Sequence, residues 1–490
     1  MLPVAPGLSR KKGWMLMPVD NDPSTLKTQN TAKPSGFHAL LMWFTRKENL
    51  AVCAIAVIVL ILHLLVIAKP SVLMFDEKFY VPAARNYLNG GGLINTEHPP
   101  LGKWFIAAGI TIFGDNAAGW RMPSVLFGIA SIFLFYLICV RLVRNEADDD
   151  KTPGLPPQKT SWFTLTTFVP VFATFLFAFE NMSFAQSGIA MLDVFYVTLM
   201  LAGFLFYLRG NYLRCGILMG LSILCKISAV LGILAILIHW AVSRRHEILA
   251  EIRHLAATLK RGVTGHSAIL DIAKMLIVVA VLWIVLLPLL EYPAARQFDN
   301  PFSRFVYMAG YHIDYTTSTQ NSPLVSMPWA WLTTPTHIIY WPDSTHVKFV
   351  TDHFALAIDS ANPLWWSYIS WNIWILIIPS ILFLVYRLVK EHTAESGIIR
   401  FGLIWFFAVY VLLIPIELIT GREMFTFYFY PAVPVVCLAI AWAGWKIRVY
   451  MQKDKQHTVV FQWTLALYIA ATLVIFYLMS PFGGHLIFPS

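Results

Sequence analysis

The sequence predicts an all-α polytopic membrane protein of about eleven spanning helices. Three observations carry that expectation. The 490 residues are 58% hydrophobic and only 13% charged, with 35 Phe, 19 Tyr and 18 Trp, and mean hydropathy is +0.63. A soluble globule cannot bury so much apolar surface, whereas lipid covers it. Apolar runs of near-membrane length recur from Leu50 onwards. Between them the basic residues collect in alternate loops, at Arg141 and Arg144, Arg209 and Arg214, Arg244 and Arg245, Arg387 and Lys390, and Arg448 and Lys453. Simple alternation puts these loops on the side of the basic N-terminal tail, which is therefore read as cytoplasmic. The net charge of +9 is then an orientation signal and no pointer to nucleic acid.

Met1–Glu48 reads as a partly disordered cytoplasmic tail, and residues 49–490 as one membrane domain without a separate soluble module. The first span is expected at Leu50–Ile67. A long loop, 70–121, follows on the far side. Within it Trp104–Phe113 is too short to cross and suits an interfacial helix; if it crossed, every later loop would invert and the charge bias would be lost. Spans are next expected at Pro123–Val140, Phe163–Ala178 and Ile189–Tyr207. Cys215–Val242 is too long for one span, and Lys226 near its middle marks the outer turn between two. Arg244–Lys260 has the spacing of an amphipathic surface helix. After a span at Met275–Leu290 comes a second long outer loop, 291–362. Four more spans, at Trp365–Val385, Gly402–Leu418, Phe425–Trp445 and Leu465–Met479, leave Pro481–Ser490 outside. The five cysteines all fall in apolar stretches and read as packing residues.

Four places carry polar residues where an apolar chain meets the outer face. In the first loop, Asp76 and Glu77 are adjacent acids at a depth where a carboxylate must be solvated, paired or used. Their uses are general-base work, for which one of two neighbouring acids suffices, or an ordinary hydrated turn. His98-Pro-Pro-Leu-Gly-Lys103 stiffens a helix entry, while His98 and Lys103 are also placed to touch an anionic headgroup. Arg121, before the second span, suits lipid phosphate, an ion pair or a substrate phosphate. Asp193 lies inside the outer end of a span and Lys226 at the following turn, either as a buried pair or as site-lining groups. In Gly421–Pro434, GREMFTFYFYPAVP, Arg422 offers a planar multi-donor grip on phosphate above Tyr428 and Tyr430. The aromatic runs at Pro328–Trp331, Tyr340–Asp343 and Asn362–Trp366 suit either sugar faces or interface anchors. There is no phosphate-binding glycine loop and no HExxH.

These residues stand in a recognisable order. FDEKFYVPAARNYL (75–88), HPPLGKWFIAAG (98–109) and FGDNAAGWRMPSVLFG (113–128) resemble the protein O-mannosyltransferases and their bacterial and archaeal relatives of the GT-C class. The likeness continues through QSGIAMLDVF, GLSILCKISAV, SMPWAWLTTPTHIIYW, SANPLWWSYISWNIW and GREMFTFYFYPAVP. The resemblance implies a GT-C fold of about eleven spans with cytoplasmic N-terminus and external C-terminus. It implies Asp76 as catalytic acid with Glu77 beside it. By motif Arg422 would hold the donor phosphate, and Arg121, Asp193 and Lys226 match family positions; with the residues' own reading, Arg121 and Lys226 are expected as further donor-phosphate groups and Asp193, His98, Tyr428 and Tyr430 as lining the site. It further implies a polyprenyl-phosphate mannose donor, inverting transfer to Ser/Thr hydroxyls of a protein leaving the translocon, and a plasma-membrane location in a bacterium or archaeon with the site outside. A phosphate leaving group makes a divalent cation chemically optional. The chain departs from the family in three places. Loop 291–362 is too short for the β-trefoil MIR domain of eukaryotic members. Gln186-Ser187-Gly188 replaces Gln-Ser-Arg. Phe427-Tyr428-Phe429-Tyr430 replaces a His-Tyr pair. Transfer of another sugar, such as aminoarabinose, to a glycolipid is the nearest alternative. A carrier for lipid-linked sugars is the alternative of another class, but it needs a mid-membrane site reachable from both sides.

Overall fold

The computed structural model describes residues 45–149, 164–253, 267–292, 300–314, 326–334, 336–341, 365–390, 397–452 and 454–482. The N-terminal tail, the 150–163 turn, part of the 244–260 segment, much of loop 291–362 and the last residues thus lie outside the described part.

The membrane unit begins at Lys47, where the first apolar run forms α1 (Lys47–Val66). The first long loop then supplies two short helices, α2 (Glu77–Leu88) and α3 (Leu101–Phe113); the latter contains the segment expected to be interfacial. Next, α4 (Ala117–Asp149) begins six residues earlier than the expected span. This places Arg121 in its first turns instead of in the loop. The chain continues through α5 (Leu165–Ala178), α6 (Asn181–Gly188), α7 (Asp193–Leu208) and α8 (Tyr212–Cys225). Lys226 is extended at the break after α8, a 3-10 turn spans Ile227–Ala229, and α9 (Val230–Ser243) leads back. The expected turn at Lys226 is therefore present. The described part of the surface segment is α10 (Arg245–Arg253), with no buried residue.

Beyond it come α11 (Ala268–Glu291), α12 (Pro301–Asp314) and the short α13 (Ala330–Thr333). The last part of the chain forms α14 (Trp371–Lys390), α15 (Gly397–Phe406), α16 (Leu413–Thr420), α17 (Val433–Met451) and α18 (Lys455–Met479).

Among the described residues, seven helices or helix runs are long and apolar enough to cross a membrane, and nine if two bent pairs each count as one span. The bends are 58° between α5 and α6 and 74° between the 227–243 run and α10. Two expected spans, α7 and α8, have only 16 and 14 residues, short of the roughly 20 a free span needs. Nearly all of α7 is buried against other helices, so protein covers its ends where lipid otherwise would. The chain is a polytopic helical membrane protein; the expected count of eleven is reached only by counting these two short central helices.

The expectation of an all-α chain needs one amendment. In the second long loop β1 (Ile338–Trp341) pairs antiparallel with β2 (Trp365–Ser367), which takes the first residues of the expected Trp365–Val385 span, with an irregularity between Ile339 and Trp341. Aromatic and β-branched side chains favour this pairing. It also draws part of the aromatic runs into the protein, while Trp329 stays exposed. Trp331, Tyr340, Trp365 and Trp366 are all buried in the protein. The indole N–H of Trp365 donates to the Lys69 carbonyl at 2.9 Å, and Asn181 Nδ2 donates to the Trp366 carbonyl at 3.2 Å. These rings fasten the loop to the core.

Candidate active site

Phe75 adopts φ 41°, in the left-handed region, where a bulky side chain costs on the order of 1–3 kcal/mol. The kink starts α2 at once, with Asp76 as its N-cap residue and Glu77 inside the first turn. The two acids part company here. Glu77 is fully buried and receives Arg121 Nε at 2.7 Å and Nη2 at 2.8 Å, Met74 N–H at 2.9 Å and Ala190 N–H at 2.9 Å. Arg121, also fully buried, spends its other donors on the carbonyls of Ile67, Pro70 and Val72. Two residues expected at the reacting groups therefore form a closed knot of the scaffold. Every guanidinium N–H is engaged within the chain, leaving none for a phosphate.

Asp76 instead borders a cavity of about 290 Å³ with Glu97, His98, Lys226, Arg422 and Glu423 among its lining residues. Burial pushes its carboxyl up to about 7; Lys226 and a hydrogen bond from Tyr80 pull the other way, while Asp193 and Glu97 add to the rise. Lys226 Nζ donates to both oxygens of Asp193, at 2.9 and 2.8 Å, and lies over the rings of Phe427 and Tyr428 at 5.3 and 5.2 Å. Asp193 is fully buried behind it. The pair and the site-lining reading are thus both partly met: Lys226 borders the cavity and Asp193 holds it there.

Arg422 arrives from the other side. Gly421, at φ 60°, closes α16 in the left-handed conformation, where glycine carries no penalty, and turns the chain into the cavity wall. Arg422 Nη2 reaches the Tyr428 hydroxyl at 3.4 Å and its guanidinium lies 5.8 Å from that ring. Its Nε has no hydrogen-bond partner among the described residues. Tyr430, by contrast, is fully buried and is absent from the cavity wall. A second cavity of about 210 Å³ shares Lys226, Arg422 and Tyr428 with the first, but is otherwise walled mainly by apolar groups such as Met200, Ile227, Leu231, Leu413 and Ile416. A polar chamber and an apolar one thus meet at two cations and a phenol.

The described parts of the two long loops meet here. Thr96 Oγ1 and Tyr307 Oη lie 3.0 Å apart, the Trp104 indole donates to the Leu290 carbonyl at 2.9 Å, and Arg304 pairs with Glu291 at 2.9 Å. Lys103 is buried beneath the first loop and donates to the carbonyls of Asn95 and His98; burial, with Arg304 nearby, lowers its pKa to about 7. It pins the loop and does not border the cavity, whereas His98 does. The His98 ring meets Tyr80 edge-on at 5.7 Å. Sequence reasoning passed over Glu97, Tyr80 and Glu423, though Glu97 and Glu423 are the immediate neighbours of two residues it singled out. Among the described residues no three His, Cys, Asp or Glu side chains gather as a metal-ion site.

The family model for dolichyl-phosphate-mannose-protein mannosyltransferase matches residues 97–147. The polyprenol-phosphate-mannose–protein mannosyltransferase of Mycolicibacterium smegmatis is 31% identical over 137 residues, covering 27% of this chain and 22% of that one. The undecaprenyl phosphate-alpha-4-amino-4-deoxy-L-arabinose arabinosyl transferase of Pseudomonas aeruginosa is 31% identical over 115 residues, 19% of this chain and 21% of that one. The match thus spans about a fifth of the length of these curated relatives. The yeast (S. cerevisiae) protein O-mannosyltransferase Pmt1-Pmt2 complex bound to the sugar donor superposes over 89% of this chain and 90% of the matched one, with TM-score 0.65 at 13% identity. Likeness at that identity is a likeness of fold. The chain carries a fold of the GT-C kind.

Proposed function

We propose that this protein transfers mannose from a polyprenyl-phosphate donor to Ser or Thr hydroxyls of proteins at the outer membrane face, with inversion at the anomeric carbon. The observation that carries the reading is the order of the cavity walls. An apolar chamber suits the prenyl chain. Lys226 and Arg422 at the junction suit the phosphate, and the polar chamber with Asp76 suits the sugar and the incoming hydroxyl. In this reading Asp76 takes the proton of the acceptor hydroxyl as its oxygen attacks the anomeric carbon from the face opposite the phosphate. A base whose pKa is near 7 takes that proton at neutral pH far better than an ordinary carboxylate. The bond to the phosphate oxygen breaks, and Arg422 and Lys226 meet the charge that develops there. Glu77 and Arg121 act through the scaffold that holds Asp76.

The Pseudomonas relative and the carboxylates of Glu97 and Glu423 favour one second reading, an amino sugar whose ammonium pairs with those acids. A donor panel decides between them. Protein in nanodiscs is offered polyprenyl phosphates bearing mannose, other hexoses or aminoarabinose, with a Ser/Thr peptide and a glycolipid as acceptors. Mannose transfer to the peptide is expected. Transfer of aminoarabinose to the glycolipid alone would replace the first reading by the second, and no transfer from any donor would end both. The orientation has its own test in a cysteine-free background. Cysteine at position 320 should react with an impermeant maleimide outside intact cells, and cysteine at 148 only after permeabilisation; the reverse pattern would put the site in the cytoplasm.

A further inference from the structure

Two carboxylates in the polar chamber have no part in the transfer just described. Glu423 is 7% exposed and borders that chamber only, whereas its neighbour Arg422 borders both. Its Oε1 has no hydrogen-bond partner among the described residues. Glu97 borders the same chamber from the first long loop. There Asn95, at φ 54°, donates its side-chain amide to Glu97 Oε1, and Lys103 fixes the carbonyls on either side. An ionised carboxylate only accepts hydrogen bonds, and a buried one without a donor is unfavourable. Lys226, which borders the same chamber, directs two of its three donors to the oxygens of Asp193 and none to Glu423 Oε1. A ligand carrying hydroxyl donors would satisfy that oxygen. The volume of about 290 Å³ equals about ten waters at ~30 Å³ each, the size class of one sugar ring with its hydroxyls.

We infer that Glu423, assisted by Glu97, accepts hydrogen bonds from the hydroxyls of the donor sugar and so sets which sugar the protein takes. The inference rests on the transfer reading above and names the residue within it that reads the sugar apart from the phosphate. A carboxylate suits the ring and not the phosphate, which it would repel. Arg422, reaching both chambers, takes the phosphate, and Glu423, one residue further into the polar chamber, takes the ring.

The test uses the full chain in nanodiscs. Glu423→Gln should raise KM for polyprenyl-phosphate mannose about tenfold or more, since a hydrogen bond to a charged group is worth at least that factor. Sugar-free undecaprenyl phosphate should inhibit the variant and the unaltered protein equally and protect both from heat to the same extent, which also establishes that the variant folds. Donors lacking one mannose hydroxyl at a time complete a double cycle: at one position the deletion should be costly for the unaltered protein and nearly free for the variant. Glu97→Gln should show the same split at smaller amplitude. An unchanged KM, an equal loss of affinity for sugar-free undecaprenyl phosphate, or additive losses for every deoxy donor would overturn the assignment. A wild-type protein inert towards every polyprenyl-phosphate sugar would overturn the transfer reading first, and this inference with it.

Discussion

Asp76 and Glu77 share a backbone turn and a side-chain chemistry, yet their surroundings are opposite. Glu77 accepts two bonds from Arg121 and two from main-chain N–H groups, and nothing of it is exposed. Asp76 borders a chamber, and burial with only partial compensation raises its pKa. An acid pair near a membrane surface thus splits its labour by hydrogen-bond saturation. A carboxylate whose lone pairs are all occupied fixes the fold, and one left partly unsatisfied is available to a substrate.

The largest expected effect tests the open member. Asp76→Asn should lower kcat by about 10²–10⁴-fold, the range of a lost general base, with unfolding temperature near the unaltered value; turnover within a few-fold would erase the distinction between the two acids. Arg121→Ala tests the closed member. Removing one partner of a buried pair costs about 3–5 kcal/mol, read as a loss of thermal stability in detergent. A stable Arg121→Ala protein with a raised donor KM would return Arg121 to the phosphate site. Arg422→Ala should cost about 1.5–3 kcal/mol of donor binding for one lost charged hydrogen bond, read as donor KM with acceptor KM little changed. Lower yield at unchanged donor KM would make Arg422 structural.

The pH profile sharpens the same contrast. Asp76 works as a base only when deprotonated, and its pKa is raised to about 7. Activity should therefore hold above pH 7 and fall about tenfold per unit below it; a profile flat to pH 5 would mean an ordinary carboxylate. The smallest effect belongs to the exposed pair Arg85–Asp115, 2.8 Å apart with side chains 36% and 47% exposed. Arg85→Ala should shift stability by less than about 1 kcal/mol, which an equilibrium melt would resolve from the Arg121 effect.

The membrane class, the turn at Lys226 and the short helix after His98-Pro-Pro were legible in the residues alone, and three residues singled out there, Asp76, Lys226 and Arg422, border one cavity. Hydropathy, helix-breaking residues and buried charge are local or compositional quantities, and each is written in a stretch of a few to twenty residues. Whatever depended on a partner far along the chain waited for the fold. Arg121 and Glu77 are 44 residues apart, and no spacing rule says that they meet or that their meeting removes both from the cavity. Glu423 and Glu97 entered the site because two distant loops close on one chamber. The Trp365 ring became an anchor because its N–H found a carbonyl at Lys69, 296 residues away. A side chain's type fixes which hydrogen bonds it can make, and only the folded chain fixes which of them are already made.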